Sequence, residues 1–109
     1  ANEANYSDGH CFAYAYKEQK LGTLVGMPVP GTCTFAGWES LGEGLRWGAP
    51  GLGVKDATTG KYLENLQTEP DLKVRNAPEA VSKGKDPQLE AAVEALKKAV
   101  AKPQVVLQP

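Results

Sequence analysis

A serine near the amino terminus has the sequence surroundings of a reactive hydroxyl. Ser7 is followed by Asp8 and Gly9 and stands directly before a run of helix-favouring residues. At the start of a helix, free backbone N–H groups and the helix dipole stabilise an oxyanion. The position therefore suits a nucleophile that attacks a carbonyl and forms an acyl intermediate. Serine is also a preferred helix N-cap, so the local sequence leaves plain capping open as the alternative role of Ser7.

The chain contains one histidine, so serine–histidine chemistry within these residues depends on His10. Ser7 and His10 are three residues apart and could adjoin on one helix face. A general base also needs a fixed hydrogen bond to the hydroxyl and an orienting partner of its own. The spacing provides neither, so we favour a surface or packing role for His10 over that of a base.

Other polar and aromatic residues have no evident partners in the sequence. Glu64, Glu69 and Asp71 lie near predicted turns and are most simply explained as solvated carboxylates. Trp38 and Trp47 are expected to anchor a core or an interface rather than to form a binding platform.

Cysteine spacing and charge exclude several classes of function. Cys11 and Cys33 lie outside any C-x-x-C pattern, which argues against a metal site or a redox dithiol and leaves one disulfide or two buried thiols open. The 12 basic and 13 acidic residues give a net charge of −1, which provides no electrostatic footprint for nucleic acid. No apolar run approaches the roughly 20 residues of a membrane-spanning helix, so we expect no membrane insertion.

The length of 109 residues is enough for one modest core, so we expect a single domain. The order of its predicted elements indicates an α/β architecture. Residues 8–21 favour a helix that Gly22 ends. The first half of this helix has no clean polar face, so we expect it to be covered on more than one side. Residues 24–29 form a short apolar strand with Pro28 near its exit. A helix followed by a buried strand is typical of α/β architecture.

The middle of the chain predicts turns and strands. Residues 31–53 contain seven glycines among large apolar residues, which predicts short strand pieces. Residues 54–56 and 61–63 predict a hairpin in which Gly60 has a positive φ. Residues 71–74 predict one more strand.

A final helix follows a connector at residues 76–85. Asp86 is the predicted N-cap, Pro87 takes the first helical position, and Pro103 ends the run. One apolar stripe is expected to pack this helix against the domain, and it consists of Leu89, Val93, Leu96 and Val100. Residues 105–109 are expected to be a stray strand or disordered.

Several segments, in a fixed order, resemble one peptidase family over about residues 1–100. They are NEANYSDGH at 2–10, FAYAYK at 12–17, LVGMPVPGT at 24–32, GKYLEN at 60–65, EPD at 69–71 and GKDPQL at 84–89. This order resembles the carboxy-terminal part of the catalytic domain of S41 serine peptidases, and the tricorn-type branch is the closer match.

The resemblance implies a ClpP/crotonase-like fold, of which this chain is the carboxy-terminal portion, and peptide-bond hydrolysis by acyl transfer. Ser7 matches the nucleophile, and Asp8 matches the residue whose backbone N–H forms half of the oxyanion hole. Glu64 matches the glutamate that orients the catalytic histidine through a bridging hydroxyl. The resemblance implies a peptide or protein substrate, no metal and no organic cofactor.

The family's histidine base has no counterpart in this sequence. It comes from a segment well upstream of the nucleophile, whereas six residues precede Ser7 here, and His10 does not match it. We therefore expect part of a catalytic domain, with the nucleophile helix, strands and hairpin in residues 1–76 and the connector and final helix in residues 77–109.

The absence of the histidine base leads to expectations about the activity and the assembly of this chain. The isolated chain should be inactive. Its expected partners are a second copy of itself, in a homo-oligomer, and the missing upstream part of the catalytic domain. A non-catalytic assembly or interaction module is the alternative function. Cleavage preference stays undetermined, and periplasmic and cytoplasmic locations both stay open.

Overall fold

A computed structural model describes residues 1–101, in which helices and strands are mixed, as an α/β domain requires. Pro103 and the tail at residues 105–109 lie outside the described residues. Within residues 1–101, no helix combines the length and apolar character needed to cross a bilayer. The elements are α1 (Asp8–Glu18), β1 (Val25–Gly26), β2 (Thr34–Gly42), β3 (Leu45–Gly53), β4 (Leu72–Lys73), α2 (Pro78–Val81) and α3 (Pro87–Val100).

Helix α1 begins as predicted and ends before Gly22. Lys20, rather than Gly22, adopts the left-handed conformation, with φ 53°, and the Leu21 N–H closes the helix end on the Tyr16 carbonyl at 3.1 Å. Gly22 instead packs closely on Tyr16, since a Cβ there would overlap the Tyr16 hydroxyl and that side chain would have to shift. The helix is not covered on every side by the described residues, since 70% of Phe12 is exposed.

The first sheet is short and parallel. Strand β1 pairs with β4 in the register Val25 to Leu72. On the other side of β1, the Ala1 ammonium donates to the Val25 carbonyl at 2.8 Å, and the Met27 N–H donates to the Ala1 carbonyl at 3.0 Å. Gly26 lets Ala1 approach, because a Cβ there would collide with the Ala1 carbonyl. The predicted strand at residues 24–29 is thus present, but its regular part is only two residues long.

The segment 31–53 differs most from the prediction, because residues 34–53 of it form one long hairpin rather than short strand pieces. Strands β2 and β3 are antiparallel and nine residues each. Glu43 and Gly44 connect them with φ values of 48° and 80°, the two positive angles of a type I′ turn. Glycine within the strands makes room for aromatic rings, as at Gly48, where a Cβ would press on the Trp38 ring.

The hairpin does not bury its aromatic side chains against the described residues. Trp38 is 63% exposed and Trp47 is 54% exposed. The Arg46 guanidinium lies over the Trp38 ring at 5.6 Å from its centroid, a cation–π distance. The prediction that these tryptophans anchor a core is therefore wrong for residues 1–101, and the interface alternative stays a prediction.

The second predicted hairpin is confirmed. Lys55 bridges to Tyr62 in antiparallel fashion, and Gly60 has a φ of 70° in the connecting turn. This hairpin lies against α1, where burial and contact with the Asp56 carboxylate raise the pKa of Tyr14 to about 12.

Helix α3 has the predicted start but a different buried face. The Asp86 carboxylate accepts the Leu89 N–H at 2.9 Å, and Pro87 takes the first turn. The stripe expected to pack is exposed by 42–67%, and its members are Leu89, Val93, Leu96 and Val100. The half-buried face instead carries the small residues Ala91, Ala92 and Ala95. The connector also contains α2, which Pro78 begins and which the prediction lacked.

The core is small and lies between α1 and the segments that follow β1. Its buried apolar residues are Ala13, Val25, Val29, Cys33 and Leu63, of which Val29, Cys33 and Leu63 are fully buried. A disulfide joins Cys11 of α1 to Cys33, with a Cα–Cα distance of 5.5 Å, which resolves the alternatives that the sequence leaves open. The radius of gyration is 18.5 Å, against about 13 Å for a compact domain of about 100 residues. The described residues are therefore less compact than a typical domain of this length.

Candidate active site

Ser7 has an uncommon backbone conformation at the start of α1. Its φ is 53° and its ψ is −114°, a region that residues with a Cβ rarely adopt. Ser7 occupies the N-cap position, yet its side chain makes no capping hydrogen bond. The plain capping role that the local sequence left open is therefore not the role observed. Residues held in such sparsely populated backbone conformations cluster at active sites.

The backbone N–H groups that follow Ser7 differ in their hydrogen bonding. The Gly9 N–H donates to the Tyr6 carbonyl, and the His10 N–H donates to the Ser7 carbonyl, both at 2.9 Å. The Asp8 N–H has no acceptor within residues 1–101. It is a free donor at the positive end of α1, next to the serine, where it suits an oxyanion.

Thr32 connects Ser7 to His10. The Ser7 N–H donates to the Thr32 hydroxyl oxygen at 2.9 Å, and the Thr32 N–H donates to Nδ1 of His10 at 3.2 Å. Nε2 of His10 lies 3.1 Å from the Thr68 hydroxyl oxygen. Because Nδ1 accepts, this pattern assigns the proton of the neutral ring to Nε2, which donates to Thr68.

His10 is a buried structural residue in the described chain. Its side chain is fully buried, and both ring nitrogens have partners. Desolvation lowers the pKa of His10, although the Leu66 carbonyl and the charge of Glu64 act in the opposite direction. The packing role that we favoured is confirmed, and a neutral ring with both nitrogens occupied is unsuited to take a proton from Ser7.

Glu64 lies in an exposed turn directly after the buried Leu63. The next residue, Asn65, has a φ of 61° and donates its N–H to the Gly31 carbonyl at 2.9 Å. Gly31 is required for this close packing, because a Cβ there would overlap the backbone of residues 65–66. Within residues 1–101, no hydrogen bond or ion pair engages the Glu64 carboxylate.

The segment Gly31 to Thr32 therefore links the two predicted site regions. Thr32 contacts the backbone of Ser7, and Gly31 contacts the residue that follows Glu64. The disulfide at the adjacent Cys33 fastens the same segment to α1. Sequence reasoning missed this link. No local pattern signals it, because it depends on hydrogen bonds between segments that are 25 to 34 residues apart in the sequence.

The Asp71 carboxylate has protein partners, whereas the sequence predicted that it would contact only solvent. It accepts the Leu24 N–H at 2.9 Å and pairs with the Lys17 ammonium at 3.1 Å. The Leu24 N–H and the Lys17 charge lower the pKa of Asp71, in that order of size. Asp71 therefore joins the end of α1 to the start of β1. Glu69 is exposed, and its carboxylate lies 3.8 Å from the Lys73 ammonium.

Two cavities lie away from the serine. One, of about 380 Å³, is lined by Tyr16 and Leu21 together with the Ala95 and Leu96 face of α3. The other, of about 230 Å³, lies beside Tyr14, and Ser7 lines neither cavity. In the part of the chain that the structure describes, no group of three His, Cys, Asp or Glu side chains could hold a metal ion.

Several named proteins share sequence similarity with this chain. No protein-family model matches the chain. Over 94 residues it is 34% identical to a protein of Sulfurisphaera tokodaii named as a tricorn-like protease C-terminal subunit. The aligned residues make up 85% of this chain and 11% of that protein. The chain is similar to tricorn proteases. It is 33% identical over 94 residues to the tricorn protease of Thermoplasma volcanium, of which it covers 9%.

A solved structure agrees with these relatives. The crystal structure of the tricorn protease superposes with a TM-score of 0.80 at 30% identity, over 89% of this chain and 10% of that chain. The fold of the described residues is therefore that of a segment of tricorn protease. The chain spans about a tenth of the length of the curated relatives that it matches.

Proposed function

We propose that this chain supplies the nucleophile region of an S41-type serine peptidase with a ClpP/crotonase-like fold. The observation that carries the proposal is the conformation of Ser7, which combines a positive φ with the absence of a capping hydrogen bond. The similarity to tricorn proteases supports a peptidase role. Because the chain matches a tenth of those proteins, the remaining parts of the site would come from other residues of a longer polypeptide.

The proposed reaction is acyl transfer. The Ser7 oxygen attacks the carbonyl carbon of a peptide bond while a histidine from outside residues 1–109 accepts the hydroxyl proton. The Asp8 N–H donates to the oxyanion of the tetrahedral intermediate, the C–N bond breaks, and the histidine returns the proton to the leaving amine. The same histidine then deprotonates a water molecule, which attacks the acyl carbon; the ester C–O bond breaks, the carboxylic acid product leaves, and the histidine returns the proton to the Ser7 oxygen.

Glu64 is proposed to act on the histidine rather than on the substrate. An ionised carboxylate, acting through a bridging hydroxyl, would hold the imidazole in one orientation and stabilise its protonated form. The Glu64 side chain is exposed and has no partner within residues 1–101, so the described residues leave it available for this contact.

Covalent labelling of the complete gene product tests the proposal. A fluorophosphonate probe phosphonylates an activated serine oxygen with loss of fluoride, so we expect the label on the peptide that contains Ser7. Ser7→Ala should abolish both labelling and peptide hydrolysis. Ser82→Ala is the matched control, because Ser82 is exposed and its hydroxyl donates to the Glu79 carbonyl. Unchanged hydrolysis in Ser7→Ala would contradict the proposal.

The same experiment addresses the alternative of an assembly module. The exposed aromatic side chains of β2 and β3, with Phe12 of α1, favour an interface with other residues. An interface and a nucleophile are compatible in one chain. If Ser7 takes no label while the protein still assembles, the module alone is the better description.

A further inference from the structure

The strained conformation of Ser7 needs a partner that holds it. A positive φ is unfavourable for serine, and such a conformation persists only where the surroundings fix it. The N–H groups at the start of a helix have no carbonyl acceptor within that helix. For the half-buried Ser7, the described residues provide one acceptor, the Thr32 hydroxyl at 2.9 Å. This hydrogen bond directs the Ser7 amide toward Thr32.

Thr32 is itself fixed from several directions. Its N–H donates to His10, which burial keeps in place. The preceding Gly31 carbonyl accepts the Asn65 N–H at 2.9 Å, and the following residue is bound to Cys11 through the disulfide. The Thr32 hydroxyl is therefore presented to Ser7 from a backbone segment with little freedom to move.

We propose that Thr32 is a positioning residue for the nucleophile. Its hydroxyl fixes the rotation about the Ser7 backbone, and this rotation sets where the Ser7 side chain and the adjacent Asp8 N–H lie relative to each other. Attack and oxyanion stabilisation need both groups in one geometry. This inference rests on the proposed function of Ser7 and adds a residue that the resemblance does not assign.

Kinetics of the complete gene product test the role of the hydroxyl. Thr32→Val keeps the shape and removes the acceptor, and Thr32→Ser restores it. For hydrolysis of a fluorogenic peptide, we expect Thr32→Val to lower kcat by about 10- to 100-fold with KM nearly unchanged, since small displacements of a reacting group have effects of this size. The rate of fluorophosphonate labelling at Ser7 should fall in parallel. Thr32→Ser should remain within about threefold of the parent in both measurements.

Thr68→Val is the matched control. It also removes a hydroxyl that contacts the buried His10, but this hydroxyl does not contact Ser7. It should lower the melting temperature while retaining most of the activity. Thr32→Ala is a second variant without the hydroxyl, to be used if Thr32→Val does not fold.

The outcomes separate this inference from the proposed function. If Ser7→Ala abolishes hydrolysis while Thr32→Val matches the parent, the role of Thr32 is overturned and the nucleophile stands. If Thr32→Ser is as impaired as Thr32→Val, the hydroxyl is not the operative group and the inference also fails. If Ser7→Ala retains the parent's activity, the proposed function and the role of Thr32 fall together.

Discussion

Breaking the Cys11–Cys33 disulfide should strongly destabilise the chain. The cross-link joins residues 22 positions apart. The loss of loop entropy in the unfolded chain then corresponds to about 3.4 kcal/mol at 25 °C. Typical domains are stable by only about 5–15 kcal/mol, and this chain has a small buried core. Removal of the cross-link should therefore cost a large part of its stability.

Urea unfolding followed by circular dichroism measures this effect. With a slope of about 1–3 kcal/mol per molar urea, a loss of 3.4 kcal/mol moves the midpoint by about 1–3 M. We expect this shift when reductant is added, and also in the double variant Cys11→Ser, Cys33→Ser. The double variant is the control, because reductant should not change its midpoint further.

Two results would refute this reasoning. An unchanged midpoint after complete reduction would show that the cross-link does not constrain the unfolded chain as argued. Alkylation of both cysteines by iodoacetamide in denaturant without reductant would show that Cys11 and Cys33 are free thiols.

Four further predictions concern chemistry, pH and assembly. Glu64→Gln in the complete gene product should lower kcat far more than it lowers the melting temperature, because the carboxylate is exposed and unbonded within residues 1–101; equal activity would remove Glu64 from the site. The isolated 109-residue chain should hydrolyse peptides negligibly, since loss of a general base typically lowers kcat by several orders of magnitude. Hydrolysis at ordinary enzyme rates, if the substitution His10→Ala abolished it, would contradict this prediction. The folded-state pKa of His10 lies below its unfolded value of about 6.5, so the unfolded chain binds more protons in the pH range below 6.5. As the pH is lowered through this range, the free energy of unfolding should therefore fall, by up to about 1.4 kcal/mol for each pH unit. His10→Asn should flatten this dependence, and an identical slope in the variant would refute the assignment. The isolated chain should form an oligomer, most simply a twofold dimer, because Phe12 and Trp38 are exposed; light scattering that gives a mass near 11.6 kDa would exclude it.

Local rules were sufficient for several elements. The side chain of Asp86 caps α3 and Pro87 opens it, because both preferences depend only on the first turn of that helix. Gly60 adopts the predicted positive φ, because a tight turn requires it whatever surrounds the turn.

Contacts between distant residues decided the rest. Serine is a good N-cap in isolation, yet the Ser7 side chain makes no capping hydrogen bond, and the Ser7 amide instead donates to the hydroxyl of the distant Thr32. His10 is buried and forms hydrogen bonds with Thr32 and Thr68. The two cysteines form a disulfide because α1 passes beside Cys33. The face of α3 that packs carries alanines because small side chains allow close approach to the neighbouring elements. Each outcome depends on which segments the tertiary structure brings together, and neither residue preference nor periodicity contains that information.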